Sequence, residues 1–235
     1  MHRFLVTQSL HDDLIVIKDR LLVHQIKRVL RIKKGERVAF FSQSAEFACI
    51  DVVAELKNID GNALVFMVRD RLDNTRESSK QLTLYVSIIK KNHFEWMLEK
   101  NTEVGVTEFV PIISLRSEKK NINIARCENI IKEASEQSGR AIIPKLHKPM
   151  FFDAALARAR ESRAKIYFAS EGERENMIRG AGDRSVSLFI GPEGGWDPKE
   201  ISRAVQANCA MVSLGRLILR AETAAVVGSH MLLWG

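Results

Sequence analysis

The sequence contains little cysteine and no long apolar run, and both absences exclude classes of protein. Its 235 residues include 3 cysteines, Cys49, Cys127 and Cys209, which stand far apart and form no CxxC pair. Such spacing is typical of buried thiols in a reducing compartment rather than of a disulfide framework. No apolar run approaches the ~20 residues that a membrane helix needs, and the apolar part of segment 1–6 is too short for a signal peptide. We therefore expect a cytoplasmic protein without contact to a membrane.

The sequence also lacks the motifs of several common cofactor sites. It has neither the GxGxxG pattern of dinucleotide-binding proteins nor the GxxxxGK[ST] pattern of phosphate-binding loops. Its 6 histidines are scattered, without the spacing of zinc ligands. We therefore expect no metal site, and a small-molecule enzyme that uses a nucleotide is disfavoured.

The composition is that of an ordinary folded protein with an excess of basic residues. Apolar residues make up 46% of the chain and charged residues 28%, which allows a full core and argues against disorder. Lys and Arg number 36 against 29 Asp and Glu, so the formal net charge is +7. Because cationic side chains release counterions when they meet phosphates, this balance favours a polyanionic partner such as RNA or DNA. The charge alone is equally typical of a basic protein that binds no nucleic acid.

Residues 1–72 have the pattern of a small β-rich domain. Apolar runs at 3–6 and 14–17 precede a predicted helix over 20–31, for which Asp19 is the expected cap. Three further β-like runs lie at 37–41, 47–56 and 63–68. Several short strands around a single helix predict a small barrel. The polar segment 69–81 has almost no large apolar residue and predicts a linker.

Residues 73–235 have the alternating pattern of an α/β domain. Apolar runs predict strands at 82–89, 106–113, 165–169, 186–190 and 211–214. Helical spacing between them predicts helices at 92–105, 127–137, 154–163, 198–207 and 223–234. Strands that alternate with helices indicate a mainly parallel sheet, and such sheets bind ligands at the carboxyl ends of their strands.

A glycine-rich loop follows the predicted strand 186–190 directly. The segment from Ile190 to Trp196 reads IGPEGGW, and a helix opens after it with Asp197 as cap and Pro198 in its first position. Glycines allow a backbone to approach a ligand closely, and this loop contains more of them than a turn requires. Because it carries Glu193 and no Lys or Arg, it suits a neutral or cationic ligand, such as a sulfonium or an adenosine hydroxyl, better than a phosphate.

A second loop, over 214–220, leads from a predicted strand into the last helix. Its apolar residues Leu217, Ile218 and Leu219 could form a slot for a flat ring, and Thr223 is the expected helix cap. Glu222 would be electrostatically favoured at a helix N-terminus even without a function, whereas Arg220 opposes the helix dipole and is the better functional candidate.

The two loops together resemble those of the knotted SPOUT methyltransferases. Their motifs GPEGG and LG-x-x-x-LR-x-ETA are most similar to those of the bacterial small-subunit ribosomal RNA uridine-N3 methyltransferase family. Further matches along the whole chain are Arg3-Phe4, Val29-Leu30-Arg31 with Gly35, Glu103-Val104-Gly105, Ser117-Glu118-Lys119 and Glu136-Gln137-Ser138-Gly139-Arg140. The chain departs from the family pattern at three positions: Gln25 replaces a common His, Leu217 replaces a common Arg, and Lys119 replaces an Arg.

The resemblance implies a PUA-like RNA-binding barrel at 1–72 and a SPOUT methyltransferase domain with a trefoil knot at 73–235. It implies a homodimer, the cofactor S-adenosyl-L-methionine, and methylation of N3 of a specific uridine in small-subunit ribosomal RNA, within an assembled 30S-type particle. The expected cofactor-binding residues are Ser170, Glu171, Ile190, Gly191, Pro192, Glu193, Gly194, Gly195, Leu214, Gly215, Leu217, Ile218, Leu219 and Thr223.

Two residues are the candidates for catalysis. Glu222 is the hypothesised base that takes the proton from uracil N3, with Glu193 as a weaker candidate, and Arg220 would stabilise negative charge on a uracil carbonyl oxygen. The expected RNA-binding residues are Arg3, Arg28, Arg31, Lys33, Lys34, Arg116, Lys119, Lys120 and Arg140. Two alternatives stay open: a SPOUT methyltransferase that acts on another RNA position, and a non-catalytic RNA-binding factor in ribosome biogenesis.

Overall fold

The computed structural model describes residues 1–173, 175–178 and 182–235, and the chain divides into two compact units. The first unit comprises Met1–Glu77 with Ser135–Ile142, and the second comprises Ser78–Ala134 with Ile143–Gly235. The sequence predicts the boundary between 72 and 73 and assigns 135–142 to the second domain. In the structure the boundary follows Glu77, and this later segment belongs to the first unit.

The first unit contains a five-stranded sheet. Its strands are β1 (Arg3–Leu5), β2 (Leu14–Ile17), β3 (Arg37–Phe41), β4 (Ile50–Asp60) and β5 (Ala63–Asp73). They lie in the order β1-β3-β4-β5-β2, with β1 parallel to β3 and the other neighbours antiparallel. The closure of this sheet into a barrel stays a prediction.

Strand β5 is longer than the sequence predicts. Residues 69–73, predicted as the start of a linker, pair with β4 up to the partners Ile50 and Asp73, so this prediction is wrong. The backbone of β5 satisfies its hydrogen bonds on β4, and the polar side chains at 69–73 are exposed. Polar composition therefore marks an exposed strand end here rather than a linker.

The helix of the first unit is shorter and less regular than predicted. Helix α1 (Arg20–His24) continues directly into a π-helical turn, Gln25–Val29, in which the Leu30 amide donates to the Gln25 carbonyl at 2.9 Å. Asp19 caps α1 as predicted, because its side chain accepts a hydrogen bond of 2.8 Å from the Leu22 amide. The buried side chains of Leu22 and Ile26 attach this helix to the core of the first unit.

A buried polar cluster ties Ser135–Ile142 to the first unit. Glu77 accepts hydrogen bonds from Arg140 Nε at 2.9 Å and from the Ala141 amide at 2.8 Å. Asn74 donates to the Gly139 carbonyl at 2.9 Å and also contacts Asp51. Buried charges are stable only when they are paired and hydrogen-bonded, so these contacts fix the segment where the hydrophobic pattern gives no indication of it.

The second unit is built on a seven-stranded parallel sheet, which confirms the predicted α/β class. Its strands are β6 (Gln81–Ser87), β7 (Glu108–Ile113), β8 (Lys145–Leu146), β9 (Met150–Phe151), β10 (Lys165–Ala169), β11 (Ser185–Ile190) and β12 (Ala210–Val212). The order is β12-β10-β11-β6-β7-β8, and β9 also pairs with β7. The short strands β8 and β9 escape prediction because two residues are too few to show a periodic pattern.

The described residues form five helices that pack around this sheet or join its strands. They are α2 (Lys91–Val104), α3 (Ile124–Ser138), α4 (Phe152–Glu161), α5 (Pro198–Gln206) and α6 (Ala221–Trp234). Asp197 caps α5 as predicted, and Glu200 completes a capping box with it. The expected cap Thr223 is wrong, because α6 begins after Arg220, which places Thr223 inside its first turn. Helix α2 begins at Lys91, one residue before its predicted start.

Side chains alternate between the two faces of the parallel sheet, and each face has its own core. Leu84 and Leu188 pack on one face with residues of α2 and α6. Tyr85 and Phe189 stack on the other face, with ring centroids 4.5 Å apart, and pack there with residues of α4. Because both faces are covered, the carboxyl edge of the sheet is where loops can form a ligand site. Within the described residues, no helix is both long and apolar enough to span a membrane.

Candidate functional site

A cavity of about 740 Å³ lies at the carboxyl ends of β10, β11 and β12. Three loops line it, over 170–173, 191–196 and 213–220, together with Lys90 and His93 at the start of α2. This volume falls within the range of small-molecule and cofactor pockets. The parallel sheet thus brings together loops that are well separated along the chain.

Almost all the predicted cofactor residues line this cavity. The lining includes Ser170, Glu171, Ile190, Gly191, Pro192, Glu193, Gly194, Gly195, Leu214, Gly215, Leu217, Ile218 and Leu219. Both catalytic candidates, Arg220 and Glu222, also line it. Thr223 does not, because it lies within α6 rather than at its start. The structure therefore assembles one compact site from residues predicted separately.

The glycine-rich loop is folded tightly against a tryptophan. The Gly195 amide donates to the Pro192 carbonyl at 2.9 Å, and Gly195 has a φ of +68°, which favours glycine. A Cβ atom on Gly191 would lie 3.1 Å from the Trp196 ring. The ring is held in place by a hydrogen bond of 2.9 Å from Trp196 Nε1 to the Ala169 carbonyl. The small residues of this loop thus place its backbone at the cavity wall.

Two side-chain contacts anchor the glycine-rich loop from outside. Arg116 donates to the Gly194 carbonyl at 3.1 Å and lies 3.7 Å from Asp197. Glu193 accepts a hydrogen bond of 3.2 Å from the Lys90 amide. Arg116 is predicted as an RNA contact, but in the structure it lines the cavity and holds the loop. Glu193 already has a backbone donor, which makes it a poorer candidate for a base.

Glu200 supports the same loop from within the protein. It is 1% exposed, and its carboxylate accepts 3.0 Å hydrogen bonds from the Leu115 amide and from the Asp197 amide. One buried carboxylate thus joins the loop after β7 to the start of α5. The capping-box pattern Asp197 to Glu200 predicts the second of these contacts, but nothing local predicts the first.

The loop before α6 is open on its outer side. Gly215 has a φ of +136°, and the Ser213 hydroxyl donates to the Gly215 carbonyl at 3.0 Å. Leu217 and Ile218 line the cavity but are 82% and 80% exposed, so the predicted apolar slot has only one covered side.

Glu222 is the most buried carboxylate of the cavity wall. Its residue is 8% exposed, and within the described part of the chain its Oε2 atom is buried without a hydrogen-bond partner. Its Oε1 atom lies 3.5 Å from His93 Nδ1. An unpaired buried polar atom is costly and marks a position where a ligand can supply the missing donor.

The cavity carries charges of both signs. The cationic side chains in its lining are Lys90, Arg116, Arg216 and Arg220, and the carboxylates are Glu171, Glu173, Glu193 and Glu222. This balance suits a ligand that itself has positive and negative groups. Among the described residues, no group of three or more His, Cys, Asp or Glu side chains is placed to hold a metal ion.

The predicted RNA-binding residues fall into different environments. The side chains of Arg3 and Arg140 are buried and pair with Asp51 at 2.6 Å and with Glu77 at 2.9 Å, which makes them weaker candidates for contacts with phosphates than the exposed cations. Exposed side chains remain at Arg28, Arg31, Lys33 and Lys34 in the first unit and at Lys119 and Lys120 in the second.

Several side chains of the cavity lining were not predicted from the sequence. They include Lys90, His93, Trp196 and Arg216. A usable signal existed for the first two, because they follow the strand at 82–89, and the carboxyl ends of parallel strands meet at one edge. Periodicity gave no such signal for Trp196, whose role depends on the folded loop.

Comparisons with known proteins identify the family to which this chain is similar. Residues 76–233 match the family model of an RNA methyltransferase domain. The chain is 31% identical to ribosomal RNA small subunit methyltransferase E of Rickettsia conorii, over 88% of each chain. It is 27% identical to the protein of the same name from Mesomycoplasma hyopneumoniae, over 96% of each chain. A crystal structure of the Neisseria gonorrhoeae protein of that name, bound to S-adenosyl methionine, is 25% identical, has a TM-score of 0.82, and aligns over 97% of this chain and 95% of that one.

Proposed function

The chain belongs to the ribosomal RNA small subunit methyltransferase E family, and we propose that it methylates N3 of a specific uridine in small-subunit ribosomal RNA with S-adenosylmethionine as the methyl donor. The observation that carries this proposal is the single cavity that joins the glycine-rich loop to Arg220 and Glu222. The family relationship supports methylation of ribosomal RNA. The presence of Glu222 as a base, with Arg220 beside it in the cavity lining, supports a target atom that must lose a proton before it is methylated.

The cavity has the chemistry that S-adenosylmethionine needs. This cofactor, when bound, supplies a methyl group already activated by its sulfonium. Backbone groups of 191–195 approach the cavity closely, and the carboxylates Glu171 and Glu193 provide negative charge for a cationic ligand. Leu214 and Leu219 offer apolar surface for a ring. The structure of the Neisseria gonorrhoeae relative contains this cofactor, which supports the same assignment here.

Two side chains would act on the target base. Glu222 is proposed to take the proton from the ring nitrogen, because its buried Oε2 atom has no donor in the described part of the chain. Arg220 is exposed at the N-terminal end of α6, where its guanidinium can stabilise the negative charge that develops on a carbonyl oxygen of the base. A general base of this kind contributes ~10²–10⁴-fold to a rate.

RNA is proposed to bind through exposed cations in both units. In the first unit, Arg28, Arg31, Lys33 and Lys34 follow one another closely at and after the π-helical turn. In the second unit, Lys119 and Lys120 are exposed in the loop after β7. Each cation that neutralises a phosphate makes affinity more salt-dependent, so replacing Lys33 and Lys34 by alanine should lower the slope of log affinity against log salt by ~1–2.

The family resemblance extends to architecture and assembly. We propose a PUA-like barrel for the first unit, and a trefoil knot for the second. The knot is supported by α6, which follows the edge strand β12 yet packs against β6 and β11 in the middle of the sheet. A homodimer is supported by the exposed apolar side chains of Leu217 and Ile218, and light scattering after gel filtration would measure it. The ribosomal substrate implies action in the cytoplasm during ribosome biogenesis.

One experiment tests the proposed function. Labelled S-adenosylmethionine would be supplied with small ribosomal subunits that lack the modification, beside naked ribosomal RNA and transfer RNA, and the product nucleoside would be identified by mass spectrometry. We expect label on the subunits, mapped to N3 of one uridine, and a loss of most of it with Arg220→Ala. A methyl group at a ribose or another base would instead support the first alternative, and cofactor binding without any transfer would support a non-catalytic assembly factor.

A further inference from the structure

The carboxylate of Glu222 has two oxygen atoms in different situations. Oε2 is buried and has no hydrogen-bond partner within the described residues, whereas Oε1 lies 3.5 Å from His93 Nδ1. Glu222 stands in the first turn of α6 and His93 in the first turn of α2, so the two side chains meet where two helices begin at the cavity. The family resemblance assigns no role to His93.

A carboxylate that accepts a proton must present one particular oxygen to its donor. A free carboxylate rotates about its last bond, and a hydrogen bond to one oxygen fixes the other in place. Neutral imidazole carries one N–H, and a proton on Nδ1 would point at Oε1. The separation of 3.5 Å is at the outer limit of a hydrogen bond, as is common for catalytic contacts before substrate binds.

We infer that His93 is a positioning residue that donates from Nδ1 to Glu222 Oε1 and thereby leaves Oε2 as the atom that accepts the proton of the target base. This role rests on the proposed function. In the step it supports, the N–H bond of the base breaks and the proton goes to Oε2. The electron pair left on nitrogen forms the new bond to the methyl carbon, and the carbon–sulfur bond breaks with its pair going to sulfur.

The surroundings of the pair favour this role for His93. Lys90 and Arg220 line the same cavity, but within the described part of the chain neither has a hydrogen bond to Glu222. The His93 side chain is 42% exposed and the Glu222 side chain 11%. The buried member therefore carries the oxygen atom that has no hydrogen-bond partner among the described residues, and the half-exposed member can be replaced without opening the core.

Three substitutions at His93 separate positioning from packing. Asparagine places its amide donor near the position of Nδ1, whereas glutamine places it near that of Nε2. We expect His93→Gln and His93→Ala to lower kcat at least ~10-fold with little change in KM for RNA or in cofactor affinity, and His93→Asn to restore most of kcat. Equal loss in all three variants, or no loss in His93→Ala, would overturn the inference.

A measurement on the protein alone tests the contact without any reaction. Long-range nitrogen–proton NMR spectra at pH 8.5 report which ring nitrogen of a neutral histidine carries the proton. We expect the Nδ1–H form for His93 and its loss in Glu222→Ala, and an Nε2–H form in the wild-type protein would overturn the inference.

The matched control is His11→Gln. His11 pairs with Glu46 at 2.5 Å in an exposed position of the first unit, so it is a histidine–carboxylate pair outside the cavity, and we expect its replacement to leave kcat unchanged. A wild-type protein that methylates no uridine N3 would refute the proposed function, whereas the NMR result would still decide whether the pair exists. A wild-type protein that does so while His93→Ala keeps its kcat would refute only the inference.

Discussion

Arg116 donates a 3.1 Å hydrogen bond from its guanidinium to the backbone carbonyl of Gly194. A side chain from the loop after β7 thus holds the middle of the glycine-rich loop after β11, and its second contact, 3.7 Å to Asp197, reaches the cap of α5. The conformation of the glycine-rich loop, which forms one wall of the cavity, therefore depends partly on Arg116, a residue far from the loop in the chain.

Removing this contact should loosen the cofactor site without unfolding the protein. We expect Arg116→Ala to weaken S-adenosylmethionine binding by ~3- to 10-fold, because a charge-assisted hydrogen bond to the loop is lost. Isothermal titration calorimetry would measure the dissociation constant of S-adenosylmethionine for both proteins. Arg126→Ala is the control, since Arg126 pairs with Glu95 at 2.6 Å and does not line the cavity. Equal affinities for Arg116→Ala and wild type would show that the loop holds its shape unaided.

Glu200 should contribute more to stability than a surface carboxylate. Glu200→Ala leaves the amides of Leu115 and Asp197 without their acceptor, and we expect the free energy of unfolding to fall by about 2–4 kcal/mol. Glu200→Gln keeps one acceptor oxygen and should cost less. Urea denaturation measures both against Glu161→Ala, which removes an exposed carboxylate on α4. A cost for Glu200→Ala as small as that of the control would contradict the assigned contacts.

Gly228 should be intolerant of a side chain. A Cβ atom at this position in α6 would lie 2.8 Å from Leu188 Cδ2 and 3.2 Å from Leu214 Cδ2. We expect Gly228→Ala to lower the free energy of unfolding by about 1–3 kcal/mol, because a packed interface must shift. Gly182→Ala is the control, since a Cβ atom there meets none of the described residues within 4 Å. Thermal unfolding curves of the two variants would compare them, and a Gly228→Ala variant as stable as the control would mean that the leucines rearrange freely.

Two cysteines should resist thiol reagents in the folded protein. Burial raises the pKa of Cys127 to about 11 and that of Cys209 to about 11. A raised pKa keeps a thiol protonated as pH rises, so at pH 8 roughly one molecule in 1,000 carries the reactive thiolate at either position. We expect labelling by iodoacetamide at pH 8 to require urea at both sites, as mass spectrometry of digested protein would show. Rapid labelling of either cysteine in native protein would indicate local opening.

Local sequence determined the elements and most of the cavity wall. Asp19 and Asp197 cap helices as predicted because a cap depends on a side chain and an amide two or three residues away. Continuous apolar runs that alternate with segments of helical spacing determined the α/β class. In a parallel sheet the connecting helices cover both faces, so the strands between them are apolar throughout. The loop over 190–196 was identified by its position after a buried strand and by its glycines.

Only the tertiary structure decided which distant residues meet. His93 lies beside Glu222, Glu200 beside Leu115, and Arg140 beside Glu77 because strand order and helix packing bring them together, and hydrophobic periodicity does not encode strand order. The positive charge of Arg140 is typical of an RNA contact. Its burial and its ion pair with Glu77 instead give it a structural role. Charge and motif are properties of a residue and its neighbours in the chain, whereas burial and pairing depend on residues that the chain places far away.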